Sequence, residues 1–171
     1  DGNTNLGSYD VILLKYNSSG TKQWTQQLGT TSGESGSGVA VDSNGNVYVA
    51  GSTLGGLDGN VNTGLGDIFL VKYNASGTKQ WTKQLGTSAM DVVRDPAIDS
   101  SGDVYVAGQT AGGLDGNTNV GSYDIFLVKY NSSGTKQWTK QIGTSSDDLS
   151  HRIAIDSNGN IYVTGYTYGG L

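Results

Sequence analysis

Apolar positions in this 171-residue chain come in short runs, each closed by Gly, Asn, Asp or Ser. Val39-Ala40-Val41 reads as a first strand and Asn46 to Thr53 as a second. Between them lies Asp42-Ser43-Asn44-Gly45, and Asn-Gly is the strongest short hairpin signal. Val11 to Tyr16 reads as a third strand and Lys22 to Leu28 as a fourth, joined by the turn Asn17-Ser18-Ser19-Gly20. Frequent glycine, β-branched residues and closely spaced turn signals disfavour helix. In the second copy of the third strand, Ile68, Phe69, Leu70 and Val71 are consecutive. A half-exposed strand would alternate apolar and polar, so this sheet is expected to be covered on both faces.

The same pattern recurs every 57 residues without insertion. Asp1-Gly2-Asn3-Thr4-Asn5 returns at Asp58-Gly59-Asn60-Val61-Asn62 and at Asp115-Gly116-Asn117-Thr118-Asn119. Trp24 returns as Trp81 and Trp138. The expected organisation is one domain over 1–171, built from units 1–57, 58–114 and 115–171 in a circularly permuted frame. Four strands per unit, repeated, with both sheet faces buried, describe the blades of a β-propeller. A solenoid rung of roughly 20–30 residues fits a 57-residue unit poorly. The fold expected is therefore all-β: a β-propeller with three four-stranded blades per chain.

Asp124 to Trp138 and Ala154 to Gly165 carry a further signal, Asp-x-Phe-Leu-Val-Lys-Tyr-Asn-x-Ser-Gly-Thr-Lys-Gln-Trp followed by Ala-x-Asp-Ser-Asn-Gly-Asn-x-Tyr-Val-x-Gly. This unit resembles the bacterial β-propeller repeat family called SBBP, over the whole chain and three times. The resemblance implies a four-stranded blade and a secreted or cell-surface setting, and it implies no established activity.

Propellers close with roughly four to eight blades, so three do not make a ring. The chain opens before a third strand and ends after a second. Two chains related by a two-fold axis would make six blades, with each junction blade a composite of two strands from each chain. A homodimer closing a six-bladed ring is the expected partner arrangement, with a fragment of a longer propeller as the alternative.

Composition narrows the chemistry. Net charge is −5, which disfavours nucleic acid, whose phosphates call for clustered Lys and Arg. Cysteine is absent, so neither disulfides nor thiolate chemistry is available. No apolar run approaches the roughly 20 residues of a membrane span. All eight lysines fall on third and fourth strands, whereas the connections carry most aspartates. One face of the ring is therefore expected to be acidic and to attract cations or a basic partner.

Trp24, Trp81 and Trp138 are read as packing anchors between blades, since large aromatics dominate core energetics. Tryptophan-docking propellers that hold a quinone have different spacing. The serine-glycine turn before each Trp lacks the aspartate of a sialidase Asp-box. Asn17, Asn74 and Asn131 match a glycosylation sequon, but Asn and Ser also suit the tight turn there.

The connection from second to third strand carries Asp-Gly-Asn-x-Asn-x-Gly-x-x-Asp. Oxygen ligands at alternate positions resemble the start of a calcium loop. The candidate Ca²⁺ ligands are Asp1, Asn3, Asn5 and Asp10, with Asp58, Asn60, Asn62 and Asp67, and Asp115, Asn117, Asn119 and Asp124. An EF-hand needs Gly at position 6 and Glu at 12, and neither is present. The alternative is a loop of Asx-turns.

The units differ most over Thr31 to Gly38, Ser88 to Asp95 and Ser145 to Arg152. The only Glu, Met and His and both Arg fall there, giving Glu34, Met90, Arg94, Asp148, His151 and Arg152 as candidate ligand-binding residues on variable loops. His151 with Asp147 and Asp148 lacks a placed nucleophile, so no catalytic residue is assigned and an enzyme is not expected. The expected function is a non-catalytic, secreted or cell-surface structural and protein-binding scaffold. The alternative is a multivalent lectin, in which Tyr9, Tyr123, Tyr166 and Tyr168 stack on sugar rings, although Gly66 replaces the first of these in the middle unit. Near-identical units are also consistent with an assembly that has no specific ligand.

Overall fold

The computed structural model describes residues 2–170. Its twelve strands are β1 (Val11–Tyr16), β2 (Lys22–Leu28), β3 (Glu34–Val41), β4 (Val47–Thr53), β5 (Asp67–Tyr73), β6 (Lys79–Leu85), β7 (Asp91–Ile98), β8 (Val104–Thr110), β9 (Asp124–Tyr130), β10 (Lys136–Ile142), β11 (Asp148–Ile155) and β12 (Ile161–Thr167). Short 3₁₀ turns at Leu57–Gly59 and Leu114–Gly116 bridge β4 to β5 and β8 to β9.

Two antiparallel sheets, β3-β4-β5-β6 and β7-β8-β9-β10, each have four strands in sequence order. They are complete blades. β1-β2 and β11-β12 are two-stranded. The repeat period makes β1-β2 the outer half of a blade and β11-β12 the inner half. The third and fourth strands of each unit match their expected spans. The first is longer than Val39-Ala40-Val41, because it runs from Glu34 and takes in most of the stretch expected to be a variable loop. That stretch pairs with β4 from Glu34 opposite Thr53 onward, with one bulge at Ser37.

Both faces of the complete blades are covered. On β5, Ile68 and Leu70 pack toward the next blade with Tyr48, Val104, Phe126 and Val128. Phe69, Val71 and Tyr73 pack the other way, with Val11, Leu28, Val47 and Trp24. A third cluster joins Tyr105, Ala107 and Trp138 to Ile153, Ile155 and Ile161. The continuous apolar run of β5 thus serves two blade interfaces at once, and its strand is buried nearly throughout. The tight turns are built by side chains. Asn17 Oδ1 accepts from the backbone N–H groups of Ser19 and Thr21 at 3.1 and 2.8 Å, and Asn74 and Asn131 repeat this. The sequon asparagines are turn formers.

Candidate functional site

The long β4–β5 and β8–β9 connections place the residues considered for calcium. Asp58 and Asp115 have left-handed backbone, at φ 50° and 51°. Asp58 is held there by Lys79 and Thr82, and Asp115 by Lys136 and Thr139. Asp67 is buried and accepts from Thr63 N, Thr63 Oγ1 and Gln84 Nε2, at 3.0 to 3.1 Å. Asp124 is buried and accepts from Val120 N, Gly121 N and Gln141 Nε2. Asp10 accepts from Leu6 N and Gln27 Nε2. Asn60 and Asn117 donate their amides to Leu57 O and Leu114 O. Asn5, Asn62 and Asn119 donate theirs to Gly7 O, Gly64 O and Gly121 O. Asn3 is exposed, and Asp1 lies outside the described residues. Asp67 and Asp124 are thus filled by hydrogen-bond donors, which compete with a cation for their oxygens, whereas Asp10 Oδ1 and Asn62 Oδ1 are buried without a hydrogen-bond partner. Among the described residues no three of Asp, Glu, His and Cys gather around a point that would hold a metal ion. The loops are braced by their own side chains.

The variable stretches separate into two environments. Glu34 and Asp148 are fully buried, so they are not surface ligands. Glu34 accepts from Thr30 N and Thr30 Oγ1, both at 2.7 Å, and from Thr53 Oγ1 at 2.9 Å. Asp91, the middle copy that sequence reading missed, takes the same place with Thr87 and Thr110, and Asp148 does so with Thr144. The signal was present: Thr30, Thr87 and Thr144 each precede an acid by four residues. Met90 bridges to Gly66 at the entrance of β5.

The other three candidates converge. Each innermost strand carries a β-bulge at the same place, between Gly36 and Gly38, between Val93 and Asp95, and between Ser150 and Arg152. The extra residues are Ser37, Arg94 and His151. A bulge leaves one residue unpaired and re-aims its side chain. Here all three are exposed and, with Arg152, line one opening of about 360 Å³. Arg94 Nε donates to Gln109 Oε1 at 3.2 Å, and His151 stacks on Tyr166 with ring centroids 5.4 Å apart. Gln109 and Tyr166 are themselves the same position in successive units. Arg152 stands 3.6 Å from the Asp95 carboxylate. A larger opening, about 400 Å³, lies between the Asp42–Asn44 and Asp99–Gly102 hairpins, where the aspartates are spent on their own turns.

Of the tyrosines considered for sugar stacking, Tyr166 and Tyr168 meet edge to face at 5.6 Å. Tyr9 and Tyr123 stand at the entrances of β1 and β9; Tyr9 O accepts from Glu34 N, whereas Tyr123 O accepts from Asp148 N at 2.8 Å beside Asp147, whose carbonyl accepts from Tyr168 N, so Tyr123 flanks the same segment as that pair. Among the described residues no helix is long and apolar enough to cross a membrane.

Comparison with known proteins agrees with this architecture. The regulatory protein FlaEY of Caulobacter vibrioides is 33% identical over 186 residues, covering 96% of this chain and 19% of its own length. A WD repeat-containing protein of Acanthamoeba polyphaga mimivirus is 27% identical over 191 residues, covering 86% of this chain and 13% of its own. The chain thus spans less than a fifth of these curated relatives. A crystal structure of a Bacteroides caccae protein of unknown function superposes with a TM-score of 0.51 at 14% identity, over 86% of this chain and 44% of that one, a likeness of fold. The sequence profile of the β-propeller repeat matches residues 23–58, 80–115 and 137–171, one match per unit. With those three matches over more than half its length, and with blades of the expected strand order, the chain belongs to the SBBP β-propeller repeat family.

Proposed function

We propose that this chain is a non-catalytic propeller scaffold that a second copy completes into a six-bladed ring. The observation that carries the reading is a mismatch in burial between identical positions of successive units. Ile12 and Leu14 on β1 are 63% and 45% exposed, whereas their copies Phe69 and Val71 on β5 are at 1% and 0%. Tyr162 on β12 is 57% exposed, whereas Tyr48 and Tyr105 are at 0% and 5%. Val39 and Val41 on β3 and Ile142 on β10 are also open to solvent. These residues form the unpaired faces of the two half-blades and the blade surfaces next to them.

Because the units are copies, β12 of one chain and β1 of another are built to pair as β4 pairs β5 and β8 pairs β9. The copied register sets Ile161 against Tyr16, Tyr162 against Lys15 and Val163 against Leu14. Two chains related by a two-fold axis satisfy both junctions, the commonest closed symmetry. Edge pairing also hides two strand edges that would otherwise invite aggregation. A second copy is the occupant proposed because it repeats the complementary face already seen twice within the chain.

Native mass spectrometry tests the closure. A species of twice the 17.8 kDa chain, abolished by Leu14→Lys, supports it. A single-chain mass overturns closure by a second copy and assigns the open faces to further blades of a longer polypeptide. Leu14 is half exposed in one chain, so its substitution leaves the single-chain fold intact.

A further inference from the structure

We propose that the opening lined by Ser37, Arg94, His151 and Arg152 is a binding site for a small, multiply charged oxyanion. The chain is acidic, with 15 Asp and Glu against 10 Lys and Arg. Yet both of its arginines and its single histidine line this one opening, and no lysine does. Elsewhere the units are near copies, and the lysines sit on the third and fourth strands. The cationic side chains here are those with fixed, directional donors: guanidinium groups form forked bonds to carboxylate, sulfate or phosphate oxygens, which an ammonium does not.

The backbone aims these groups. The three β-bulges fall at one register position on β3, β7 and β11, and their extra residues supply a hydroxyl, a guanidinium and an imidazole. Arg94 is pre-oriented. Its Nε is committed to Gln109, so its terminal amino groups are the donors it presents to the opening. His151 is braced against Tyr166. Arg152 is 73% exposed, and its ion pair with Asp95 is long at 3.6 Å, so an oxyanion competes for it readily. Gly38, the unit-one counterpart of Asp95, leaves room on β3. A Cβ there would come within 2.7 Å of Asp95 Oδ1. The strands β3 and β7 can therefore approach closely enough to bring Ser37 and Arg94 to a shared opening. The site uses the inner strands of one chain and does not depend on ring closure.

Titration calorimetry at fixed ionic strength tests the assignment, with inorganic phosphate and citrate as separate probes. The expected result is saturable binding of one or both. Binding of phosphate alone identifies a phosphoryl ligand, and binding of citrate alone identifies a carboxylate. Arg94→Gln and Arg152→Gln should each weaken binding by roughly tenfold or more, the loss of one charged hydrogen-bonding group. Arg94→Lys, which keeps the charge without the fork, should fall between Arg94→Gln and the parent. Lys140→Gln, on the outer strand β10, removes one positive charge elsewhere and should leave affinity unchanged. Thermal melting of each variant identifies any that fails to fold, and Arg152, being exposed, supplies one whose fold is insensitive to the change. No binding of either probe, or equal affinities for Arg94→Gln, Arg152→Gln and Lys140→Gln, overturns the proposal.

Discussion

Trp81 meets Tyr48 edge to face within one blade, with ring centroids 5.9 Å apart and planes at 63°. Lys72 lies between them across the sheet and places its ammonium 5.1 Å from the Tyr48 ring centre. Trp138 and Tyr105 repeat the arrangement at 5.9 Å, with Lys129 over Tyr105. The row is a cross-strand ladder that faces the next blade, so its stability depends on whether a next blade is present.

Removal of the Trp81 side chain should therefore destabilise the chain by about 3 kcal/mol, the lower end of the range for a large aromatic, because Trp81 is only partly buried. Trp138 has no outer half-blade packed beyond it in one chain. Trp138→Ala should cost less than Trp81→Ala in dilute monomer and as much in a closed ring. Urea denaturation at two protein concentrations reads the difference.

The turn that receives each Trp makes a second test. Gly134 has φ +80°, and a Cβ there would lie 2.9 Å from Trp81 Cε2 and from Lys83 Cε. Gly134→Ala should lose about 1–2 kcal/mol from the left-handed backbone and about 1–3 more from overpacking. Gly20, the unit-one copy, has φ +77° and nothing within 4 Å of a Cβ. Gly20→Ala should show only the backbone part in a single chain, measured as a shift in urea midpoint at unchanged slope.

Acid sensitivity has a defined sign. Burial pushes the Asp58 carboxyl up, but the Lys79 ammonium and the Thr82 hydroxyl outweigh it and hold the group below its ordinary 3.8. Asp115 behaves alike with Lys136 and Thr139. A carboxyl whose folded pKa is depressed adds stability that is fully present above the unfolded value and lost as pH falls through the folded one. Both ion pairs are about a third exposed, so solvent screens them and each contribution is modest. Asp91 has the opposite sign: burial raises it, so its contribution is present below 3.8 and is lost as pH rises through its folded value. The double variant Asp58→Asn, Asp115→Asn should flatten the fall in Tm below pH 3.8, as thermal melts across an acid series would record.

Calcium gives a fourth test. With Asp67 and Asp124 enclosed by N–H and O–H donors, Tm should be the same in excess calcium and in excess chelator. A rise in Tm with calcium that Asp124→Asn removes would contradict the donor-filled reading.

The repeat and its strand pattern were legible because they are local. Asn-Gly turns, the apolar run Ile68 to Val71 and the recurring Trp24, Trp81 and Trp138 each report backbone preference or two-sided burial, which neighbours in sequence specify. The fate of the variable stretch was not legible. Glycine and serine in Thr31 to Gly38 read as loop, yet pairing with β4 draws Glu34 to Val41 into a strand, since an inner strand is held by its partner's ladder and hardly at all by its own propensity. Likewise Asp, Asn and Gly in the long connections suggested cation ligands, and only the folded chain shows the threonines and glutamines that reach those carboxylates from positions 4 and 17 residues away.

The sequence by itself determined the unit, its four strands and the number of copies, because a 57-residue period and its turns are written in neighbouring residues. Tertiary structure alone decided that Ser37, Arg94 and His151 share one opening while Glu34 and Asp148 are sealed inside. Residues 57 apart become neighbours only when blades pack around a common axis. A bulge in each inner strand then sets which side chain faces the opening and which faces the core.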